Sequence, residues 1–284
     1  MANLRAIRMR IKSVESTRQI TKSMKMVAAA KLRKTQSAAS RLRSFAEKSR
    51  EILLSLGGGA DAGKSPYLRP APEEGKLCYV LIVGNRGLCG TYNHSLLRYF
   101  EQLRAEEKRE SLLYVAGRWG RDLIGGVDKR LEISDAPTAQ EAQSLTEELK
   151  QLYTSGEVSE VRLVYQHFRS VLQQSPCVTT LLPLQLPEGG EDRDVICEPD
   201  GETVLERLLE LTLVNQVHSA LLEARTGEHA ARMTAMTSAS DNTEELIQEL
   251  TLELNHARQA AITTEISEIV GGAAALRQED QTRS

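Results

Sequence analysis

Glycine and proline are missing from residues 1–56, and no proline follows Pro199. Segments without these breakers run as helices well past the three-turn average. Aromatic residues are scarce at 4% and gathered in the middle: Phe45 stands alone in the first sixty-six residues, and none follows Phe168. Ends with so few rings suit thin, elongated packing better than a globular core. No apolar run approaches the roughly twenty residues that span a bilayer, so any membrane association is indirect. The four cysteines (Cys78, Cys89, Cys177, Cys197) never form a C-x-x-C pair. Without a secretory signal, they suit a reducing compartment. The five histidines have no metal-ligand spacing with one another or with cysteine, and no G-x-S-x-G occurs. His229 and His256 read as plain helix residues. No convergent Ser/His/Asp set can be assembled, so no catalytic group, metal or cofactor is expected.

What the chain does have is charge, sorted by sign. Residues 1–50 hold fourteen Lys and Arg against two acids, Glu15 and Glu47, whereas residues 205–282 hold five Arg against thirteen Asp and Glu. The whole chain nets only −3, because its ends cancel. Such a split calls for each end to find a partner, and the nearest for a basic helix is the acidic helix of the same chain. An Arg-rich, acid-poor start also describes an organelle transit peptide. Against that, Leu4, Ile7, Ile11 and Val14 form a heptad-like stripe that continues through Ile20, Met24, Val27 and Leu32, which a cleaved leader has no reason to sustain.

The periodicity divides the chain into four segments. Residues 1–56 read as one helix, about 80 Å long if straight at about 1.5 Å per residue, ended by Gly57–Gly58–Gly59. Residues 57–75, with Pro66, Pro70 and Pro72, read as a linker. Residues 76–200 change period. Strands are expected at Lys76–Val83, Ser111–Ala116, Lys129–Ile133, Glu160–Phe168 and Val178–Leu184. Helices are expected at Tyr92–Lys108, Arg118–Ile124 and Thr138–Tyr153, the last opened by a capping box of Thr138 and Glu141. Strands alternating with helices imply a mainly parallel sheet covered by helices. Residues 201–284 return to the helical period through Leu205, Leu208, Leu209, Leu213, Val217, Met233, Met236, Leu246, Leu250, Leu254, Ala257, Ala261, Ile262 and Ile269. Gly227 and Asp241–Asn242 are expected to interrupt it. The fold class is therefore α/β: a long antiparallel coiled coil of N- and C-terminal helices with an inserted Rossmann-like domain. Small residues along both stripes favour close helix approach.

Two glycine motifs invite a nucleotide. Gly58–Ser65 fits G-x-x-x-x-G-K-[ST], whose backbone amides would cradle phosphates. That loop needs a strand before it and a helix after it, but here a helix precedes and prolines follow. Gly84–Gly90 (GNRGLCG) sits between a strand and a helix, yet its spacing is G-x-x-G-x-x-G and no acidic residue ends the next strand to hold a ribose. A tight turn explains its glycines.

Specific strings then become recognisable. IRMRIKSVESTRQITKSMKMVAAAKLRK (Ile7–Lys34) resembles the N-terminal helix of the gamma subunit of rotary ATP synthases. Ile262-Thr263-x-Glu265-x-x-Glu268-x-x-x-Gly272-Ala273 is similar to that family's C-terminal signature. RMTAM with DN (Arg232–Met236, Asp241–Asn242), ARQAAIT (Ala257–Thr263) and GNRGLCGTYN are also family-like, the last with TYN where a further glycine is expected. The resemblance covers the chain in order and begins almost at Met1, so no leader is expected. It implies a central rotor shaft lodged in a ring of alpha and beta subunits. The middle domain would be a foot resting with the epsilon subunit on the membrane c-ring. Proton-driven rotation would be coupled to the beta-subunit sites, which is coupling between distant sites. It implies no covalent chemistry for this chain and a peripheral place on the cytoplasmic face of a bacterial inner membrane. The regulatory cysteine pair of photosynthetic relatives is missing, so thiol control is not expected. The resemblance also implies partner contacts. Met24 would meet the beta subunits, with Lys22 and Lys25 facing acidic beta loops. Arg232 would work with the Met24 region, while Arg258, Gln259, Thr263 and Glu265 would lie near the upper shaft. Solvated helix charge is the plain alternative for Lys25 and Arg258.

Two other classes compete. A nucleotide-binding enzyme with coiled-coil arms would bind cofactor in isolation, and the glycine spacing argues against it. A coiled-coil nucleic-acid binder would show steep salt dependence; the chain's own acidic helix and the lack of interleaved aromatics argue against that.

Overall fold

The computed structural model describes residues 2–56, 65–68, 75–185, 197–198 and 200–282. In chain order these form α1 (Ala2–Leu56), a 3-10 turn (Pro66–Leu68), β1 (Leu77–Ile82), α2 (Tyr92–Glu106), β2 (Ser111–Ala116), β3 (Lys129–Leu131), α3 (Ala139–Thr154), β4 (Glu160–Phe168), β5 (Gln174–Leu182) and α4 (Gly201–Thr282). There are two compact units, residues 1–25 with 236–284, and residues 26–235. α1 ends at Leu56 as expected. The glycines expected to end it, and all of the P-loop-like match except Ser65, lie outside the described residues.

The 26–235 unit holds a five-stranded sheet in the order β3-β2-β1-β4-β5. Its neighbours are parallel except for β4 and β5, which pair antiparallel. All six residues of β1 are buried. Both faces of a parallel strand are covered, so it reads as an unbroken apolar run instead of an alternating one. Cys78, Val80 and Ile82 face a core shared with α3, Leu53 of α1 and the start of α4. Leu77, Tyr79 and Leu81 face a second core with Leu96 and Phe100 of α2. The capping box of Thr138 and Glu141 forms as expected.

Three expectations are corrected here. Arg118–Ile124 is a turn, not a helix, because Gly117 and Gly120 adopt positive φ on either side of Trp119. The strand expected to reach Ile133 stops at Leu131. β5 begins at Gln174 instead of Val178. It is an edge strand, where Pro176 can sit without a backbone N–H to donate.

α1 and α4 run in opposite directions within this unit. Lys31 reaches Asp135, whose carbonyl meets His229, while Ala46, Ser49 and Leu53 share a cleft with Leu209, Thr212 and Gln216. The buried and half-buried line along α1 returns every seven residues through Ile7, Val14, Thr21, Ala28 and Thr35. A second line runs through Leu4, Ile11, Arg18, Lys25 and Leu32. Met236, Thr243, Leu250 and Ala257 alternate likewise with Ser240, Ile247, Leu254 and Ala261 on α4. This is the repeat of a coiled-coil seam. Its phase differs from the expected stripe: Ile20 and Val27 are 58% and 56% exposed, and Ile262 and Ile269 45% and 66%. Thr21, Ala28, Ala257 and Ala261 fill the seam instead, and small residues there leave the larger neighbours facing out.

α4 is continuous through both expected interruptions. Gly227 serves packing: a Cβ there would lie 3.0 Å from the Tyr92 ring, whose hydroxyl donates to the Ala224 carbonyl. The opposite charges of the helices meet in the exposed Arg18–Glu244 pair at 3.5 Å. Arg8, Arg10, Lys22, Arg33 and Arg43 face solvent.

Candidate functional site

Three charged residues on α4, Arg225, Glu228 and Arg232, are spaced by three and four and so share one helix face. That face is turned inward: Arg225 and Glu228 are 0% exposed and Arg232 is 7% exposed. Above it lies the loop that leaves β1. Glu228 accepts the backbone N–H of Asn85 at 3.1 Å on one oxygen and that of Arg86 at 3.2 Å on the other. Arg225 donates to Glu228 at 2.9 Å, to the carbonyls of Val83 (2.9 Å) and Ser134 (3.2 Å), and to Asn85 Oδ1 at 3.0 Å. Arg232 donates to Glu228 at 2.6 Å and to the carbonyls of Arg86 and Gly87 at 3.1 and 3.2 Å. Buried charges cost several kcal/mol each to desolvate, and only complete pairing offsets that. Here the pairing is extensive enough to act as a clamp of one geometry. Burial pushes the Glu228 carboxyl up, but the two guanidiniums and the Asn85 amide pull it further down, so it stays ionised.

A second layer surrounds the first. Asp135 accepts from Lys31 of α1 and from Asn85 Nδ2 at 3.0 Å. Burial opposes its charge, yet Asn85 and Lys31 hold its carboxyl well below the usual range. His229 is 1% exposed. Its Nε2 lies 3.3 Å from the Asp135 carbonyl, which can only accept, and its Nδ1 3.4 Å from Arg232, which can only donate. The ring is therefore neutral with its proton on Nε2. Burial lowers its pKa from 6.5 against the opposing pull of Glu228. The unfolded chain consequently takes up this proton first as pH falls. The stability contributed above the unfolded value is lost below it, and Glu228 adds loss of the same sign below 4.5. We expect the melting temperature to fall on acidification from about pH 7 to about pH 5, and His229→Gln to flatten that slope. An unchanged slope in the variant would show that His229 is not its source.

The contact residues expected from sequence fall into three groups. Lys22, Arg258, Gln259, Thr263 and Glu265 are exposed, and Met24 and Lys25 are half-buried, Lys25 on the α1 seam line and Met24 beside it. Arg232 belongs to the buried node instead. Sequence reasoning did not find Arg225, Glu228, Asp135 or Lys31. The available signal was three charges spaced by three and four on one face of α4, in line with Leu221 and Leu222. Among the described residues no group of three or more His, Cys, Asp or Glu is placed to hold a metal ion, and no helix is long and apolar enough to cross a membrane.

Residues 3–276 match the family described as ATP synthase. The ATP synthase gamma chain of Desulfitobacterium hafniense is 43% identical over 281 residues, covering 97% of this chain and 100% of that relative. That of Moorella thermoacetica is 44% identical, covering 98% and 100%. Among solved structures, a chain of the Euglena gracilis mitochondrial ATP synthase (OSCP/F1/c-ring, rotational state 3) superposes with a TM-score of 0.70 at 21% identity, covering 97% of this chain and 95% of that one. A chain of the Tetrahymena thermophila central stalk and c-ring superposes at 0.58 with 24% identity, covering 78% and 99%.

Proposed function

The chain belongs to the ATP synthase gamma chain family, and from that premise we propose how its surfaces serve as the central shaft of the rotary enzyme. It is a non-catalytic subunit, whose partners are the alpha and beta subunits of the catalytic ring and the membrane c-ring. Ion-driven rotation of the c-ring turns the shaft, and each beta site changes affinity with the face it meets. The epsilon subunit completes the foot. The complex sits at the cytoplasmic face of a bacterial plasma membrane, with this chain attached peripherally.

The observation that carries this reading is which residues the helices leave outside. The seams mix leucine and isoleucine with small residues such as Ala28, Ala257 and Ala261, while Met26, Val27, Leu252, Ile262, Ile266 and Ile269 are exposed. Large apolar side chains left out of a seam along a helix are typical of a surface that a partner covers. Lys22 and Lys25 flank Met24 and supply positive charge toward acidic beta loops. Arg258, Gln259, Thr263 and Glu265 face outward on the last third of α4, near the upper shaft, where Arg258 and Gln259 meet a beta-subunit loop. Arg232 contributes through the loop it holds, whose Arg86 and Leu88 are exposed. The nucleotide-enzyme alternative loses ground because two successive amides of the glycine-rich turn, Asn85 and Arg86, are already taken by Glu228.

Met24→Lys tests the assignment, since it adds a charge that must be desolvated at the contact. In the assembled enzyme the ratio of ATP-driven proton pumping to ATP hydrolysis is expected to drop several-fold while hydrolysis continues. Pumping equal to that of the unmodified enzyme would remove Met24 from the contact.

A further inference from the structure

The turn Gly84–Gly90 ends β1, the strand from which the sheet grows both ways: β2 lies on one side and β4 on the other. In open α/β sheets the crevice beyond such a strand end is where ligands bind, and a turn leading into a helix presents backbone N–H groups to anions. In this chain the crevice is filled from within. The two oxygens of the Glu228 carboxylate each take one of two successive backbone N–H groups, Asn85 at 3.1 Å and Arg86 at 3.2 Å. Guanidiniums close on it from both sides, Arg225 at 2.9 Å and Arg232 at 2.6 Å. Gly84 permits the approach, because a Cβ there would lie 3.1 Å from the Glu228 carboxyl carbon and 2.9 Å from Asn93 Oδ1. Paired amides, paired guanidiniums and a glycine that admits an oxyanion form the donor set of a phosphate or carboxylate site. Packing a loop on a helix requires none of these.

We propose that the strand-to-helix turn of this domain is an anion site whose resident ligand is the Glu228 carboxylate of α4, and that Glu228 is thereby the positioning residue for loop 84–90. The ligand class is a small oxyanion. Because the site is occupied internally, the domain is held to α4 by ligand-type recognition, and the exposed Arg86 and Leu88 take their place from it. The proposal does not rest on the partner contacts described above.

The test is chemical rescue in the full-length chain. Glu228→Ala empties the site, and its thermal melts are compared in sodium formate, formamide and sodium chloride, the two salts at equal ionic strength. Formate is expected to raise the melting temperature by about 3–6 °C at a concentration roughly ten times its dissociation constant. Formamide and chloride are expected to give no such rise, and the unmodified chain no formate-specific gain. Formate acting no better than chloride or formamide, or equally on the unmodified chain, overturns the proposal. If Glu228→Ala does not fold, Glu228→Gln carries the test, since it fills the same space without charge. Amides of Asn85 and Arg86 exchanging with solvent about tenfold faster or more, with Leu81 unchanged, support it. Unaltered exchange at both amides overturns it.

Discussion

Arg225→Met is expected to lower the stability of the chain by about 3–5 kcal/mol, the usual consequence of removing one partner of a buried ion pair. Methionine keeps much of the stem volume, so the loss reports the charge and its hydrogen bonds more than a cavity. Glu228 is left with Arg232 as its only cation in the node, while the carbonyls of Val83 and Ser134 lose a donor. Those carbonyls belong to two separate loops, and this one guanidinium reaches both, alongside the contacts of Glu228 and Arg232 to one and of His229 to the other. Thermal or urea denaturation measures the effect. A loss below about 1 kcal/mol, the range of a surface pair, would mean that Arg225 does not hold the loops. Lysine in its place is not a conservative repair, because a point charge cannot spread over four acceptors as the planar fork does.

Gly117→Ala is expected to be comparably damaging, for a reason that lies in the backbone. Gly117 has φ +128°, where side-chain-bearing residues are strained by about 1–3 kcal/mol. An added Cβ would also fall 2.3 Å from the Val83 carbonyl oxygen and 2.9 Å from Val83 Cγ2. Neither atom is the free end of a flexible chain, so the end of β1 must shift, at a further cost of about 1–3 kcal/mol. The shift would be felt at the node, because Arg225 donates to that same Val83 carbonyl. A drop of several degrees in melting temperature is expected, with faster exchange of the Asn85 and Arg86 amides. Alanine tolerated without either change would contradict the packing described at the end of β2.

Much of the fold was readable because its signals are local. A 55-residue helix follows from the lack of breakers, and the capping box of α3 from two residues three apart. What failed was decided at a distance. The stripe through Ile20 and Val27 satisfied hydrophobicity, but the seam chose Thr21 and Ala28, since the facing helix determines what fits. The sheet is mainly parallel as expected, but which strand runs against it, β5 after the five residues 169–173, is stated by no local pattern. Glu228, Arg225 and His229 resembled ordinary helix residues, because burial and loop partners more than 90 residues away do not appear in a spacing.

By itself, then, the sequence determined that this protein has two long helical ends of opposite charge around an α/β domain, and which family it belongs to. Helix propensity, capping and breaker placement act between near neighbours. The tertiary structure alone decided which helix face is seam and which is left exposed. It alone turned a glycine-rich turn that reads as a ligand loop into one that holds a carboxylate of its own chain. Desolvation and charge pairing depend on which groups folding brings within hydrogen-bond distance, and that is a property of the packed chain.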